Sequence, residues 1–345
     1  MQTRTYTLIL LALLFFSGCG NQLYQQQFYV FGTLVGVSIW GVPSSQASKA
    51  VNAIAVDFQT MHHNWHAWNP SPLTDLNQTI AAGQTWTITD KSLLPLLKKA
   101  KSFYNKSDGL FNPAIGQLIN LWGFHNDGLE SDNQEPPSSA KIAELVALKP
   151  GMNDIEIEKE HILSHNKAVQ LDFGAFAKGY AIDLTIEKLR QYGIQNAIIN
   201  AGGNLKVIGK KGNKPWLIGI RHPSGTGVLA AIAVNGEESI ITSGNYERYR
   251  EYQGVRYSHI IDPRNGMPAP GLSSVTVIDR SGALADAAST ALTVAGLRDW
   301  QRIARQMGIK YVMLVDSAGT VYVNPAMAAR VEFPSSNPPK MVVVP

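Results

Sequence analysis

One stretch of the sequence decides how the chain is organised: Val169-Gln170-Leu171-Asp172-Phe173-Gly174-Ala175-Phe176-Ala177-Lys178-Gly179-Tyr180. An apolar run ends in an acidic residue, small residues follow, and a helical pattern begins next to the lysine. We predict a strand over Ala168 to Leu171, then a turn, then a helix over Ala177 to Tyr192 that Gly193 ends. Such a junction presents backbone N–H groups, a carbonyl and an ammonium group to one anionic ligand.

Lys178 lies in the first turn of the predicted helix, where the helix dipole disfavours a cation unless an anion is bound nearby. This position indicates a phosphate ligand, and the alternative is an ordinary surface lysine. Asp172 can accept hydrogen bonds from a sugar hydroxyl or a ring N–H, and a carbonyl within Gly174-Ala175 can complete a metal shell.

A later helix carries two further oxygen ligands. Asp286 and Thr290 are four residues apart, so they share one face of the helix that the run Leu284 to Val294 predicts. A carboxylate and a hydroxyl on a face of small residues form half of an oxygen cage for a hard cation such as Mg²⁺. The alternative is structural, with an acidic residue favoured by the helix dipole and a threonine bonded to its own turn.

Three other segments have both a chemical and a structural interpretation. Ala201-Gly202-Gly203-Asn204 either lets the backbone approach a phosphate or forms a plain turn between strands. His259, beside two isoleucines, contacts a phosphate, transfers a proton or is structural. His62 and His66 have the i, i+4 spacing of a zinc site, but no nearby Cys or Glu completes the set.

The pattern of the first residues of the chain is typical of a targeting segment. A weakly positive start and a short apolar run end in Phe16-Ser17-Gly18-Cys19, which resembles a bacterial lipobox. We predict a lipoprotein signal peptide over residues 1–18, lipidation of Cys19 and a polar tether over residues 19–27. Because Cys19 is the only cysteine, the chain has no intramolecular disulfide. The net charge of +4 without a long Lys/Arg run does not indicate nucleic-acid binding.

Helices and strands alternate irregularly along the chain, and several consecutive strands have no helix between them. Apolar periodicity predicts further helices over Ala47 to His66, Ser92 to Tyr104 and Asp299 to Met307. The pattern indicates an α+β fold with mixed sheets flanked by helices, and the Pro-rich residues 334–345 are expected to form a loose tail.

Seven segments, in this order along residues 28–333, resemble one family, the FAD:protein FMN transferases (ApbE family). They are Phe31-Gly32-Thr33, His66-Ala67-Trp68-Asn69-Pro70, Phe111 to Phe124, Leu171 to Tyr180, Asn200 to Asn204, Ser258 to Pro263 and Ala285 to Thr290.

The resemblance implies two interlocked lobes with the FAD site between them. It implies a metal site made by the Ala175 carbonyl, Asp286 and Thr290, and catalytic roles for Asp286, His259 and Lys178. The residues that it assigns to FAD binding are Phe31, Trp68, Leu110, Phe111, Asn112, Asp172, Lys178, Gly202, Gly203, His259 and Ile260.

Three residues depart from the family pattern. Phe31 stands where the family has Met, and Trp68 where it has the Tyr that lies on the flavin ring. Both side chains remain largely apolar and can stack, so flavin binding is expected to persist with altered ring contacts. Asn112 replaces an Asp, which changes one hydrogen bond expected at the flavin or adenine.

The resemblance further implies a Mg²⁺-dependent transfer of FMN from FAD to a Thr or Ser hydroxyl of a target protein, with release of AMP. The implied targets are membrane redox subunits, such as those of sodium-translocating quinone reductases or Rnf complexes. A lipid anchor would hold the enzyme on the periplasmic face of the bacterial envelope, at the inner membrane. The alternatives are an FAD pyrophosphatase and a non-enzymatic flavin-binding lipoprotein.

Overall fold

The computed structural model describes residues 23–126, 135–225, 227–334 and 338–345. The predicted signal peptide over residues 1–18, the predicted lipidation site Cys19 and residues 20–22 of the predicted tether lie outside the described residues.

Helices and strands are mixed throughout the described chain, which confirms the predicted α+β class. The strands are β1 (Leu23–Val30), β2 (Thr33–Trp40), β3 (Trp86–Thr87), β4 (Ile155–Glu158), β5 (His161–Ser164), β6 (Ala197–Ala201), β7 (Asn204–Ile208), β8 (Trp216–Arg221), β9 (Val228–Val234), β10 (Glu238–Gly244), β11 (Tyr249–Tyr252), β12 (Val255–Ser258), β13 (Leu272–Asp279), β14 (Tyr311–Asp316), β15 (Val321–Val323) and β16 (Met341–Val343). The helices are α1 (Ser44–Asn64), α2 (Pro72–Ala82), α3 (Leu93–Lys106), α4 (Gly116–Leu121), α5 (Ser139–Ala147), α6 (Ala177–Gln191), α7 (Gly282–Met307) and α8 (Pro325–Ala328).

One nine-stranded sheet organises the fold, in the order β1-β2-β6-β7-β10-β13-β14-β15-β16. Its neighbouring strands are antiparallel except for β15 with β16. Alternate residues of each strand face one side, so Val35, Val37 and Ile39 of β2 all enter the main core. The apolar faces of α1, α6 and α7 cover that side of the sheet, and α3 packs against α7. Each large apolar side chain buried there contributes about 1.5–3 kcal/mol.

The opposite side of the sheet has its own apolar cluster. The β8–β9 hairpin packs there through side chains such as Ile218 and Ile232, and Met327 of α8 joins them. The β11–β12 hairpin forms a separate two-stranded sheet, and β3, β5 and β4 form a three-stranded one. Of these two smaller sheets, the β11–β12 hairpin lies beside the cavity described below.

The structure differs from the sequence predictions at both chain ends. β1 begins at Leu23, inside the predicted tether, because the polar Gln-rich stretch is an edge strand whose alternate residues face solvent. The predicted loose tail is ordered in part, since Met341–Val343 pairs with Val321–Val323.

Two predicted elements near the site also change. The strand predicted over Ala168 to Leu171 is reduced to one bridge between Gln170 and Ile115, because the Asn77 side chain bonds both backbone groups of Leu171. The two late predicted helices are successive parts of α7, which is interrupted at Gly296, where φ is 64°.

Candidate active site

The strand register brings three distant turns to one end of the nine-stranded sheet. Ala201, at the end of β6, pairs with Val35 near the start of β2 and with Asn204 at the start of β7. Asn204 in turn pairs with Ile241 in β10. The β1–β2 turn, the β6–β7 turn and the end of β10 are therefore neighbours in space.

A cavity of about 830 Å³ opens at this end of the sheet, within the size range of small-molecule sites. The loop before α6, the first turn of α6 and one face of α7 form other parts of its wall. The predicted site residues that line it are Phe31, Leu110, Asn112, Asp172, Ala175, Lys178, Gly202, His259, Ile260, Asp286 and Thr290.

A close contact between α6 and α7 holds the two chemical segments of the sequence together. A Cβ atom added to Gly179 would lie 2.3 Å from the carbonyl oxygen of Gly282, so only glycine permits this approach. One turn further along α6, Asp183 accepts hydrogen bonds from the N–H groups of Gly282 and Ala283, at 2.8 and 3.0 Å. These bonds satisfy free donors at the start of α7 and place a negative charge at its positive end.

Asp286 of α7 reaches the first turn of α6. It is 5 % exposed, and its Oδ2 accepts a 2.9 Å hydrogen bond from the N–H of Gly179. Burial raises the pKa of Asp286 to about 6, against the opposing influence of the Lys178 charge and the Gly179 N–H. The Asn204 side chain also favours the ionised form, although its buried Nδ2 has no partner in hydrogen-bonding geometry. The Asp286 carboxylate and the Asn204 amide are therefore both available to bind a ligand.

Lys178 precedes Gly179 and lines the same cavity. It forms no hydrogen bond and no ion pair within 4.0 Å with any residue that the structure describes. Its charge opposes the rise that burial causes in the pKa values of Asp286 and Glu247, and it adds to the lowering of the His259 pKa by burial. A half-buried ammonium group beside the N-terminus of α6 is therefore available to an anion.

The cavity also contains the three residues predicted to bind a hard cation. Asp286, Thr290 and Ala175 all line the cavity. Oδ1 of Asp286 accepts no hydrogen bond from the described residues, so the buried carboxylate keeps one free oxygen. Mg²⁺ is commonly bound by one or two carboxylates with waters and substrate phosphates. The predicted donor set therefore fits Mg²⁺.

His259 also lines the cavity, and its ring is held in one orientation. Nδ1 lies 2.9 Å from the carbonyl oxygen of Arg248, which can only accept, so Nδ1 carries the proton. Burial, together with the nearby charges of Arg248 and Lys178, lowers the pKa of His259 to about 4. The ring is therefore neutral at pH 7, with a free lone pair on Nε2.

Trp68 is anchored beside the cavity without lining it. Its indole N–H donates a 2.9 Å hydrogen bond to Oδ2 of Asp172, whose Oδ1 accepts the N–H of Gly174 at 2.7 Å. One face of the indole lies against the His125 ring, with 4.7 Å between ring centroids. Asp172 therefore connects an aromatic side chain to the loop that leads into Lys178.

Two residues assigned to FAD binding have other positions. Phe111 is fully buried, and its ring packs edge-on against Phe103 and Phe176, so it supports the cavity from the core. Gly203 lies in the β6–β7 turn with φ of 90°, outside the cavity lining, while its neighbour Gly202 lines it.

Asn112 lines the cavity, but both ends of its amide bond the protein. Nδ2 donates to the Pro150 carbonyl and Oδ1 accepts the Ala114 N–H, at 2.9 and 3.0 Å. An ionised aspartate at this position could not make the first bond. The residue that departs from the family pattern therefore fixes the loop around it.

The sequence alone did not single out several residues of the cavity. Thr33, Glu247 and Arg248 line it, and Asn204 was quoted only as the end of a glycine turn. Arg248 is held by the carbonyls of Phe124 and Asn126, at 2.7 and 3.1 Å. Because the positions of these residues depend on strand pairing and loop packing, the local sequence carries no signal for them.

His66, one of the two histidines with the spacing of a zinc site, has a structural role. Nδ1 of His66 accepts the N–H groups of Trp68 and Asn69, at 3.1 and 2.9 Å. Within the described residues, no three His, Cys, Asp or Glu side chains are grouped to hold a metal ion. None of the helices in the described part of the chain is long and apolar enough to cross a membrane.

Comparison with known proteins gives a consistent result. The model of the ApbE family matches residues 31–313. The chain is 44 % identical over 323 residues to an FAD:protein FMN transferase of Rhodobacter capsulatus, covering 92 % of this chain but only 60 % of that relative. It is 33 % identical to an FAD:protein FMN transferase of Treponema pallidum, covering 81 % of both.

Solved structures resemble the fold along nearly its whole length. The ApbE protein of Thermotoga maritima aligns with a TM-score of 0.78 and 29 % identity, covering 91 % of this chain and 98 % of its own. A flavin transferase of Vibrio cholerae aligns with a TM-score of 0.78 and 25 % identity, covering 90 % and 99 %. The sequence motifs, the fold and these comparisons together show that the chain belongs to the ApbE family.

Proposed function

We propose that this protein transfers FMN from FAD to a Thr or Ser hydroxyl of an acceptor protein and releases AMP. The main observation in support of the proposal is that Lys178, His259 and Asp286 all line one cavity of about 830 Å³. The names of the relatives from R. capsulatus and T. pallidum support the same reaction.

The cavity offers complementary walls to the two ends of FAD. Phe31, Leu110 and Ile260 provide apolar surface for a ring system. Lys178 and the N-terminus of α6 provide positive charge and N–H donors for the pyrophosphate. The free Nδ2 of Asn204 is a further donor for a phosphate oxygen. FAD is therefore expected to bind with its pyrophosphate between α6 and His259.

In the proposed reaction, the acceptor hydroxyl attacks the phosphorus on the FMN side of the pyrophosphate. A phosphoester bond forms, the bond between that phosphorus and the bridging oxygen breaks, and AMP leaves with the electron pair. Nε2 of His259 is suited to accept the hydroxyl proton because the ring is neutral and its Nδ1–H is engaged by Arg248. The negative pyrophosphate would raise the pKa of His259 from about 4 and strengthen it as a base.

Asp286, Thr290 and the Ala175 carbonyl are the residues that would hold Mg²⁺. Bound there, the ion would neutralise negative charge on the phosphate oxygens. Asp286 has the burial and the free oxygen that this assignment requires. The contact of Gly179 with Asp286 would keep the cation and the ammonium group of Lys178 on one wall.

The proposed acceptors are flavin-carrying subunits of membrane redox complexes, of the sodium-translocating quinone reductase or Rnf type. The lipobox-like Phe16-Ser17-Gly18-Cys19 supports a lipid anchor on Cys19 and a location on the periplasmic face of the envelope, at the inner membrane. An anchored enzyme would meet such acceptors at the surface where they reside.

Product analysis separates transfer from hydrolysis. The purified protein is incubated with FAD, MgCl₂ and the flavin-carrying subunit of a sodium-translocating quinone reductase, and the products are resolved by chromatography and in-gel flavin fluorescence. The proposal predicts AMP release matched by a fluorescent acceptor band that an acceptor Thr→Ala variant abolishes. AMP and free FMN without a labelled acceptor would instead identify an FAD pyrophosphatase.

A further inference from the structure

Three exposed lysines lie at the end of the nine-stranded sheet opposite the FAD cavity. β7 begins at Asn204, which lines the cavity, and ends at Ile208, which pairs with Ala197 at the other end of β6. The chain then turns through Lys210-Lys211-Gly212-Asn213-Lys214, which we call the basic turn. Its three lysine side chains are all exposed, and the proposed reaction uses none of them.

The backbone of the basic turn is held in one conformation. Lys211 and Lys214 exchange two backbone hydrogen bonds, at 2.9 and 3.1 Å, around Gly212, whose φ is 63°. The N–H of Lys210 donates a 2.9 Å hydrogen bond to Oδ1 of Asn196. The three ammonium groups therefore extend from a fixed frame, which lowers the entropy lost when they meet a common partner.

The positive charge of the basic turn is not neutralised by the protein. None of its lysines has an acidic group within 4.0 Å among the residues that the structure describes. The acidic side chains at this end of the neighbouring strand β10 are already paired. Glu237 contacts Arg190, Lys206 and Arg280, and Glu238 contacts Arg330. Three positive charges are thus available to an anionic partner.

The polypeptide enters the fold beside the basic turn. Leu23, the first residue of β1, pairs with Trp40, the last residue of β2. Nζ of Lys211 lies 5.9 Å from the centroid of the Trp40 ring. The Trp40 N–H also donates to the carbonyl of Asn196, whose side chain holds Lys210. The start of β1 and the basic turn are therefore neighbours in space.

The chain between this point and the proposed lipid anchor is short. Only Gly20, Asn21 and Gln22 separate Cys19 from Leu23, so their Cα atoms are at most about 14 Å apart. A lipid on Cys19 would keep this end of the sheet near the bilayer surface. Because β1 has eight residues, its other end, next to the FAD cavity, is about 24 Å further along the strand.

We infer that the basic turn binds the anionic phospholipid headgroups of the membrane in which Cys19 is anchored. The inference rests on the lipid anchor of the proposed function, and it adds how the anchored enzyme is oriented. A lysine near an anionic surface raises the affinity about fivefold, so three lysines provide a second membrane signal beside the lipid. With the basic turn on the bilayer, the FAD cavity faces away from the membrane, where an acceptor can reach it.

Chemical labelling of lysines on the anchored protein tests this contact. The full processed protein is purified from membranes in detergent and reconstituted onto vesicles of phosphatidylcholine, or of a roughly 2:1 mixture with phosphatidylglycerol. An uncharged amine-reactive reagent is added, and mass spectrometry gives the labelling rate of each lysine. Three exposed lysines of other elements serve as internal controls: Lys98 of α3, Lys141 of α5 and Lys159 between β4 and β5.

The anionic vesicles should protect the basic turn. Relative to the control lysines, we expect the labelling rates of Lys210, Lys211 and Lys214 to fall about threefold to tenfold, because an ammonium group paired with a lipid phosphate is shielded from the reagent. A high NaCl concentration should restore the rates, since salt screens exposed charges. Equal labelling of the basic turn on the two kinds of vesicle would overturn the inference.

A pair of double variants shows whether the lysines act together. Lys210→Gln with Lys214→Gln leaves Lys211 as a reporter, and its labelling rate on anionic vesicles should rise at least about threefold above that of the wild type. Lys98→Gln with Lys141→Gln removes the same charge elsewhere and should leave Lys211 protected. Both variants should keep the wild-type melting temperature, because the substituted side chains are exposed. Equal labelling of Lys211 in the two double variants would contradict a role for the basic turn.

The N-terminal peptide of the same sample separates this inference from the proposed anchor. Mass spectrometry should show an acylated Cys19. An unmodified Cys19 would overturn the proposed anchor and the inference with it. An acylated Cys19 together with equal labelling on both kinds of vesicle would leave the anchor in place and overturn only the contact of the basic turn with anionic lipid.

Discussion

The backbone N–H of Gly179 in α6 donates a 2.9 Å hydrogen bond to Oδ2 of Asp286 in α7. This one bond joins the two segments in which the sequence concentrates its chemistry. It is possible because Gly179 meets Gly282 without a side chain between the helices. The helices thus set the separation between the ammonium group of Lys178 and the carboxylate of Asp286, which the proposed reaction requires.

A methyl group at the helix contact should damage both stability and activity. Gly179→Ala would place a Cβ 2.3 Å from the Gly282 carbonyl oxygen, and overpacking of this kind costs about 1–3 kcal/mol. The roughly 1 kcal/mol that alanine gains over glycine in a helix offsets this only partly. We expect a lower unfolding temperature and a loss of transfer larger than the loss of folded protein.

The control for that change is Gly36→Ala in β2. Its added Cβ would meet nothing closer than 3.8 Å, so stability and transfer should remain near wild type. A Gly179→Ala protein with the melting temperature and activity of Gly36→Ala would show that the α6–α7 contact is not tight.

Mg²⁺ should stabilise the folded protein through Asp286. In melting experiments, MgCl₂ should raise the unfolding temperature of the wild type and leave Asp286→Asn unchanged, because a neutral amide is a poor ligand for Mg²⁺. Thr290→Val, which keeps the shape but removes the hydroxyl, should need a higher MgCl₂ concentration than Thr290→Ser. An Asp286→Asn protein that responds to Mg²⁺ like the wild type would place the ion elsewhere.

His259 should make the fold sensitive to acid. Its folded-state pKa of about 4 lies below the value of 6.5 expected when unfolded, so the unfolded chain binds more protons between these values. Stability is therefore lost as the pH falls from 6.5 towards 4. Because the ring is only half-buried, solvent screening limits the effect to about 1–2 kcal/mol.

This pH-dependent loss of stability can be measured by comparing the wild type with a variant that lacks the imidazole. Chemical denaturation of the wild type and His259→Gln, at several pH values between 7.5 and 4.5, should show the wild type losing stability faster as the pH falls. Parallel stability curves would mean that His259 protonates in the folded protein as easily as in the unfolded chain.

The hydrogen bond between Trp68 and Asp172 should affect FAD binding. Trp68→Phe keeps an aromatic ring but removes the N–H, so the ring is held less firmly and one oxygen of Asp172 loses its donor. We expect the FAD Kd, measured by flavin fluorescence, to rise about threefold to tenfold. An unchanged Kd for Trp68→Phe would show that this anchoring has no part in FAD binding.

The sequence predicted the helices best, because their apolar periodicity is local. The buried faces of α1 and α3 follow the predicted spacing closely, whereas in α6 the predicted apolar residue Leu184 is exposed and Ile182 and Ile186 are buried instead. Gln25 to Gln27 were expected to belong to a tether because an edge strand with polar outward residues has the composition of a linker. The strand predicted over Ala168 to Leu171 is not formed because the side chain of Asn77, which is distant in the sequence, bonds the backbone N–H and C=O of Leu171 in place of a neighbouring strand.

The candidate site was predictable where a motif carries its own chemistry. Lys178 and Asp286 were identified from helix position and spacing, and the structure places both at one cavity. Phe111 was assigned to FAD because it lies inside a family motif, but its ring is a core residue. Asp183 and Asn204 could not be identified as organisers of the site, since their partners are on elements distant in the sequence.

The most direct test of the account is the intact mass of the acceptor after incubation with FAD and MgCl₂. With the wild-type protein, the acceptor should gain the mass of FMN less one water, on a Thr or Ser residue identified by fragmentation. With Asp286→Asn, the acceptor should keep its original mass although the variant remains folded. An acceptor labelled equally well by Asp286→Asn would contradict the claim that the α6–α7 contact assembles the reaction centre.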